Sequence, residues 1–367
     1  MKPSNLKTKL SFLLILSVLF AHGQKETKNK VEPEEFKTIK MPKFPNADFP
    51  KKSIAVSDIR VIQLVRDSVR LGYTMKGLDN HIATMRPSKP LTEFLQDHVY
   101  KMYNSGLKDE GAIILWVVKD LRVGERTALM EHSYLRFNTD AYISKDSNHY
   151  KWLCTIDTVF VTESGADLTA WHGDDIENAL KLLLKRTLVA AKDTPGPTAG
   201  DMTIQQIIRN QNQQLDIPIL VDNTYREGAY ANFEEFRQNK PSIKDYQPVN
   251  IDKNNLRFVS TGENNKVDTL AIWGLCRNNQ IYKYDDGVLV PIEKQQNGFV
   301  ISGYIQKANS RNSNIMFGAV VGGALGALVA SSGSGKMLLV RSIPYITKSS
   351  KQPEASCIDM RTGELSF

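Results

Sequence analysis

The chain has 367 residues, 47 lysines and arginines against 40 aspartates and glutamates, a formal net charge of +7, three cysteines and 41% hydrophobic residues. With 24% charged and 8% aromatic residues the composition is globular rather than disordered, and the length suits two domains. Three cysteines cannot staple so long a chain, so buried apolar surface must hold it together.

Lys2, Lys7 and Lys9 precede an apolar stretch from Leu10 to Phe20, which ends in Ala21-His22-Gly23. A basic start, a short apolar run and small residues before a cut form a secretory signal peptide over residues 1–23. The run is shorter than the roughly 20 residues that span a bilayer. Loss of its three lysines leaves +4 of the +7. Lys25, Lys28, Lys30 and Lys37 then lie among Glu and Pro, so residues 24–52 read as a solvated tether. No basic helix face, zinc spacing or aromatic RNA-binding motif accompanies the charge, which therefore makes no case for nucleic acid. No Asn after residue 23 opens an Asn-x-Ser/Thr site, which favours a bacterial periplasm or outer membrane over a eukaryotic secretory route.

Residues 53–193 read as a first domain. Ser53 to Gln63 is extended in character, and Val69, Leu71, Tyr73 and Met75 alternate with polar residues, which predicts strands. Leu91, Phe94, Leu95, His98, Val99 and Met102 recur at three and four behind Pro90, which predicts a helix. Gly111 to Val118 has the length and β-branched content of a central strand, and Leu135–Ile143 and Trp152–Phe160 form a hairpin around Lys145-Asp146-Ser147-Asn148. A second helix follows, with Asp174 and Glu177 at capping-box spacing and an apolar stripe from Ile176 to Ala191. The order predicts an α+β fold, an antiparallel sheet with two helices on one face. The pattern resembles small periplasmic modules that accompany envelope transport and assembly systems.

Asp193-Thr194-Pro195-Gly196-Pro197 and the Gln/Asn-rich stretch to Gln214 mark residues 194–216 as a linker. Residues 217–367 read as a mostly β meander with one short helix at Phe233–Phe236. Arg277-Asn278-Asn279, Asp286-Gly287 and Asn297-Gly298 supply its hairpin turns, and Met337–Ile346 and Ser356–Phe367 its last strands. Three stretches stand out: Phe233-Glu234-Glu235-Phe236 with Asn239-Lys240-Pro241-Ser242, Ile272-Trp273-Gly274-Leu275-Cys276 with Ile281-Tyr282, and Asp359-Met360-Arg361-Thr362-Gly363-Glu364. Through them the last 150 residues resemble uncharacterised signal-peptide-bearing envelope proteins of the Bacteroidetes type. The resemblance implies an envelope location and no activity.

Residues 316–332 carry no charge, and Gly318, Gly322 and Gly326 fall four apart, with Gly323 beside the middle one. On a helix that spacing lets a second backbone approach closely, and the segment resembles glycine-zipper segments of outer-membrane proteins. Three readings stand: a single membrane span, a buried glycine-rich element of the domain, and a self-associating or membrane-inserting hairpin. A single span would strand Met337–Phe367 away from the strands they complete.

Enzyme patterns are sparse. Gly333-Ser334-Gly335-Lys336 lacks the first glycine and the trailing Ser/Thr of a phosphate loop. His172, Asp174 and Asp175 form the densest acid-base group, though the two aspartates also suit a helix start. The histidines show no metal spacing, no cofactor motif is present, and His98 sits on an apolar helix face. Cys276 and Cys357 lie in the second domain and would be free to pair in an oxidising compartment. The expectation is a non-enzymatic envelope module for binding or assembly, with a membrane surface, another envelope protein or its own copies as partner. An exported hydrolase at His172, Asp174 and Asp175, and a passive structural subunit of an envelope complex, are the alternatives.

Overall fold

The computed structural model describes residues 34–45, 49–50, 53–76, 81–127, 130–194, 201–213, 216–252, 255–261, 267–312, 337–341, 343, 346, 348 and 351–367. Residues 35–367 belong to one compact unit. Its first sheet contains β1 (Phe36–Thr38), β2 (Val56–Gln63), β3 (Gly72–Lys76), β4 (His81–Arg86), β5 (Ala112–Thr127), β6 (Glu131–Ser144) and β7 (Lys151–Ser164), with helices α1 (Leu91–Tyr103) and α2 (His172–Asp193). The order is β1-β4-β3-β5-β6-β7, and β2 also pairs with β5.

The sheet is mixed rather than antiparallel throughout: β1 with β4, and β2 and β3 with β5, run parallel. β2 occupies one side of β5 as far as Val118, and β3 meets the same side at Val123. Gly72 makes that meeting possible. Its φ is +128°, and a Cβ there would lie 1.8 Å from Val123 O. Two strands have no counterpart in the sequence reading. β4 is buried on both faces, so period two is lost, and β1 comes from the stretch read as tether.

The pleat of β5 assigns the layers. Ile114, Trp116 and Val118 share a core with Leu91, Phe94, Leu95 and Val99 of α1 and with Ile176, Leu180, Leu183 and Leu184 of α2. Ile39 belongs to the same core, so the chain is docked by residue 39. On the opposite face Ile113, Leu115 and Val117 meet Ile207 of α3 (Ile204–Gln213). The stretch read as linker thus supplies a packed helix.

The second half adds α4 (Pro218–Val221), β8 (Gly228–Tyr230), α5 (Phe233–Arg237), β9 (Gln247–Asp252), β10 (Asn255–Thr261), β11 (Val267–Leu270), β12 (Gly274–Arg277), β13 (Gln280–Asp285), β14 (Val288–Gln295), β15 (Gly298–Ile301), α6 (Tyr304–Asn312), β16 (Cys357–Ile358) and β17 (Leu365–Ser366). A seven-stranded antiparallel sheet runs β17-β16-β15-β14-β13-β12-β8, and β9, β10 and β11 form a small separate sheet. Asn278 and Asn279, with φ of 50° and 59°, turn β12 into β13, and Asp286 and Gly287, at 45° and 81°, turn β13 into β14. The next turn falls on Gln296-Asn297, one residue before the expected Asn-Gly pair, with Gln296 at φ 47°. Of Met337–Ile346, expected as strands, the described residues contribute one isolated bridge, Leu339 with Glu354.

The expected boundary at 194–216 does not separate two cores. Ile82 and Tyr134 of the first sheet share a core with Phe236, Trp273, Ile292, Phe299 and Phe367, and Tyr73, Met75 and Val159 pack against it. Helices cover one face of the first sheet, and without the second half this apolar part of the other would be wet. Residues 316–332, with Gly318, Gly322, Gly323 and Gly326, lie outside the described residues.

Candidate functional site

His172 and Asp175 come together in a buried network; Asp174 does not join it. Helix α2 starts at His172, without a side-chain cap, so Asp174 is the third helical residue and is exposed. The expected capping box is absent because Glu177 turns inward, 3.0 Å from His98 Nε2 and 2.8 Å from Lys181 Nζ. Burial pushes the His98 imidazole below its ordinary pKa despite Glu177.

His172 is fully buried. Its Nε2 lies 2.7 Å from Glu125 Oε1 and its Nδ1 3.2 Å from Ser133 Oγ. Ser133 Oγ donates to Asp175 Oδ2 at 3.0 Å, and Thr162 Oγ1 donates to Asp175 Oδ1 at 2.9 Å. Glu125 Oε2 accepts from Thr74 Oγ1 at 2.5 Å, from Met75 N at 2.7 Å and from Thr169 Oγ1 at 3.4 Å. A serine, a histidine and a carboxylate in sequence suggest nucleophilic catalysis, but this arrangement cannot perform it. Ser133 spends its one hydroxyl proton on Asp175, so it is an acceptor toward His172. Ser133 and His172 are each 0% exposed, which leaves no place for a substrate. The network ties the start of α2 to β3, β5, β6 and β7. Its partners from other elements, Thr74, Glu125, Ser133 and Thr162, escaped sequence reasoning because each is a lone polar residue on a separate strand.

A second polar group forms where the two halves of the sequence meet. A cleft of about 130 Å³ is lined by Arg66, Lys119, Asp120, Arg122, Asp359 and Arg361, among others. Arg122 holds Asp120 through two bonds, Nε to Oδ1 at 2.8 Å and Nη2 to Oδ2 at 2.7 Å. Its Nη1 donates to Cys357 Sγ at 2.8 Å, Ser366 Oγ at 3.1 Å and Phe367 O at 2.5 Å. Arg361 bonds Asp359 and reaches Asp157 of β7 at 3.2 Å, while Arg66 Nη1 donates to Ile358 O at 3.2 Å. Burial would raise the pKa of Asp359, but Arg361 outweighs it and holds the carboxyl at about 2. Asp120 is likewise lowered, since Arg122 and Arg136 overcome its burial. Most of these charges are spent on one another, so the cleft is a clamp between β5 and the β16–β17 hairpin.

The three stretches behind the envelope resemblance meet in one aromatic cluster. Phe236 stacks on Trp273 at 4.2 Å, Phe233 lies 5.6 Å from the same ring, and Trp273 Nε1 donates to Gly363 O at 2.9 Å. Asn239, at φ 50° and 1% exposure, accepts from Arg226 N and donates to Asp222 and Thr224. These motifs are packing devices.

Cys276 and Cys357 are free. They sit on β12 and β16 of one sheet with β13, β14 and β15 between them, about 19 Å apart at ~4.8 Å per strand step, far beyond disulfide reach. Burial pushes the Cys276 thiol up to about 12. Among the described residues no helix is long and apolar enough to cross a membrane, and no three His, Cys, Asp or Glu side chains converge for a metal ion.

No family model matches the chain, and no curated protein matches it. Among solved structures, the crystal structure of a Xanthomonas campestris protein described by the family model DUF330 aligns at 12% identity and a TM-score of 0.29, covering 43% of this chain and 96% of that one. A likeness at that score assigns neither fold nor function.

Proposed function

We propose that this chain is a non-enzymatic exported protein of the bacterial envelope, a binding or assembly module acting at a membrane surface or on another envelope protein. In this reading residues 316–332, through Gly318, Gly322, Gly323 and Gly326, make the contact with membrane or with a second copy. The observation that carries it is where the flanking chain is anchored. Ala308 of α6 and Val340, on either side of residues 313–336, are 0% and 2% exposed in the same core. The segment therefore leaves and rejoins one folded unit, which suits contact or insertion from one side and opposes a single crossing. The sealed His172 network supports the non-enzymatic part, because two of the three residues nominated for hydrolysis, His172 and Asp175, are buried and engaged by Glu125, Ser133 and Thr162.

Fractionation of the protein from an expressing bacterium tests the reading. The protein is expected in the membrane pellet, with a carbonate wash separating inserted from adsorbed material. Recovery of all of it as soluble monomer contradicts the proposal.

A further inference from the structure

A sheet edge is a row of unpaired N–H and C=O groups, which folded chains shorten, charge or cover. Two edges of the first sheet are managed in these ways. β1 is three residues long. Along β2 the side chain of Gln96 from α1 stands in for a strand: its Oε1 accepts from Val61 N at 2.8 Å and its Nε2 donates to Ile59 O at 2.8 Å. Among the described residues β7 has no such cover. It is 14 residues long, ends the sheet and pairs with β6 alone. Among the described residues, the one bond to its backbone from outside the β6 ladder is Arg136 Nη1 on Thr158 O, at 3.2 Å. Trp152 and Val161 are exposed along it, at 52% and 37%.

We propose that β7 pairs antiparallel with β7 of a second copy about a two-fold axis, joining two seven-stranded sheets into one. The occupant follows from self-complementarity. A two-fold axis sets each residue against one on the same face, so it must pass beside a single residue and its own copy. With Thr158 on the axis, Ile156 faces Phe160, Thr155 faces Val161 and Asp157, held by Arg136 and Arg361, faces Val159, each twice. Apolar, aromatic and Thr–Thr pairs of this kind stabilise strand pairing. An axis at Asp157 would set two carboxylates face to face, and an axis at Val159 would lose the Ile156–Phe160 pair. This surface is distinct from residues 316–332 and does not depend on the function proposed above.

Sedimentation equilibrium of the full chain tests it. The wild type is expected at twice the 41.3 kDa chain mass. Thr155 and Val161 are both exposed, and Asp140, which accepts from Thr155 Oγ1 at 2.6 Å, keeps Lys119 when Thr155 is replaced. Thr155→Lys with Val161→Lys opposes like charges and is expected to raise the dissociation constant at least about tenfold. Thr155→Lys with Val161→Glu opposes unlike charges and is expected to restore the dimer, with circular dichroism establishing that both variants are folded. A wild type that stays monomeric up to its solubility limit overturns the proposal. So does a dimer that the double lysine variant leaves unchanged, since self-association would then lie elsewhere, residues 316–332 included.

Discussion

His172 and Glu125 carry the clearest residue-scale consequence of the fold. The Glu125 side chain is 7% exposed, and His172 takes one of its oxygens. His172→Ala leaves that carboxylate partly uncompensated in the interior, a loss of about 3 kcal/mol by the usual cost of breaking a buried pair. Asp174→Asn, at an exposed position two residues along the same helix, is expected to change stability by less than about 0.5 kcal/mol. Equilibrium urea unfolding of both variants separates a structural network from a reactive one; an unchanged midpoint for His172→Ala would point back to chemistry. The Arg361–Asp359 pair makes a pH-dependent counterpart. Asp359 has its pKa lowered on folding, so its contribution is fully present above the unfolded value near 4 and is lost as pH falls toward about 2. The amount is roughly 2 kcal/mol. Acid titration of the unfolding free energy should show a drop in that window, and Arg361→Gln should shrink it; an identical pH profile for that variant would remove the clamp from the account.

Among the elements, α1 and α2 were legible because a 3.6-residue stripe is local information, and each lies close to where its stripe puts it. β6 and β7 were legible for the same reason at period two, and β5 by the length and β-branched content of its apolar run, although all three run beyond the stretches that signalled them. β4 was not, since burial on both faces erases alternation. β1 was hidden by composition: Lys37 places it among the lysines of the tether, while Ile39 just beyond it enters the core at 1% exposure. A third of the candidate site was readable, as His172 and Asp175 lie three apart on one helix; Glu125, Ser133, Thr74 and Thr162 reach it through sheet register, which no local spacing encodes. Gln96 is a second long-range device, one side-chain amide bonded to two backbone groups of β2. Gln96→Ala should cost about 1–3 kcal/mol by leaving Val61 N and Ile59 O without their partner. Amide hydrogen exchange at Val61 reads this directly, and protection equal to wild type would mean that water serves as well.

At the scale of the whole molecule, two halves that look separable in sequence share the core around Tyr134, Phe236 and Phe367, and the junction is bolted by Arg122 and Arg361. Cooperative unfolding of residues 35–367 follows from that shared core. Within this compact unit, residues 316–332 are a charge-free, glycine-spaced stretch of sequence whose flanks are both anchored in the same core. On the function proposed above, this stretch makes the contact with membrane or partner copy while the rest folds without it. Flotation with vesicles of bacterial lipid, comparing the wild type with a deletion of 316–332 whose fold is followed by near-UV circular dichroism, tests it most directly. The account expects the wild type to float and the deletion variant to stay at the bottom with an unchanged spectrum; a deletion variant that unfolds, or one that floats as well as the wild type, would contradict it.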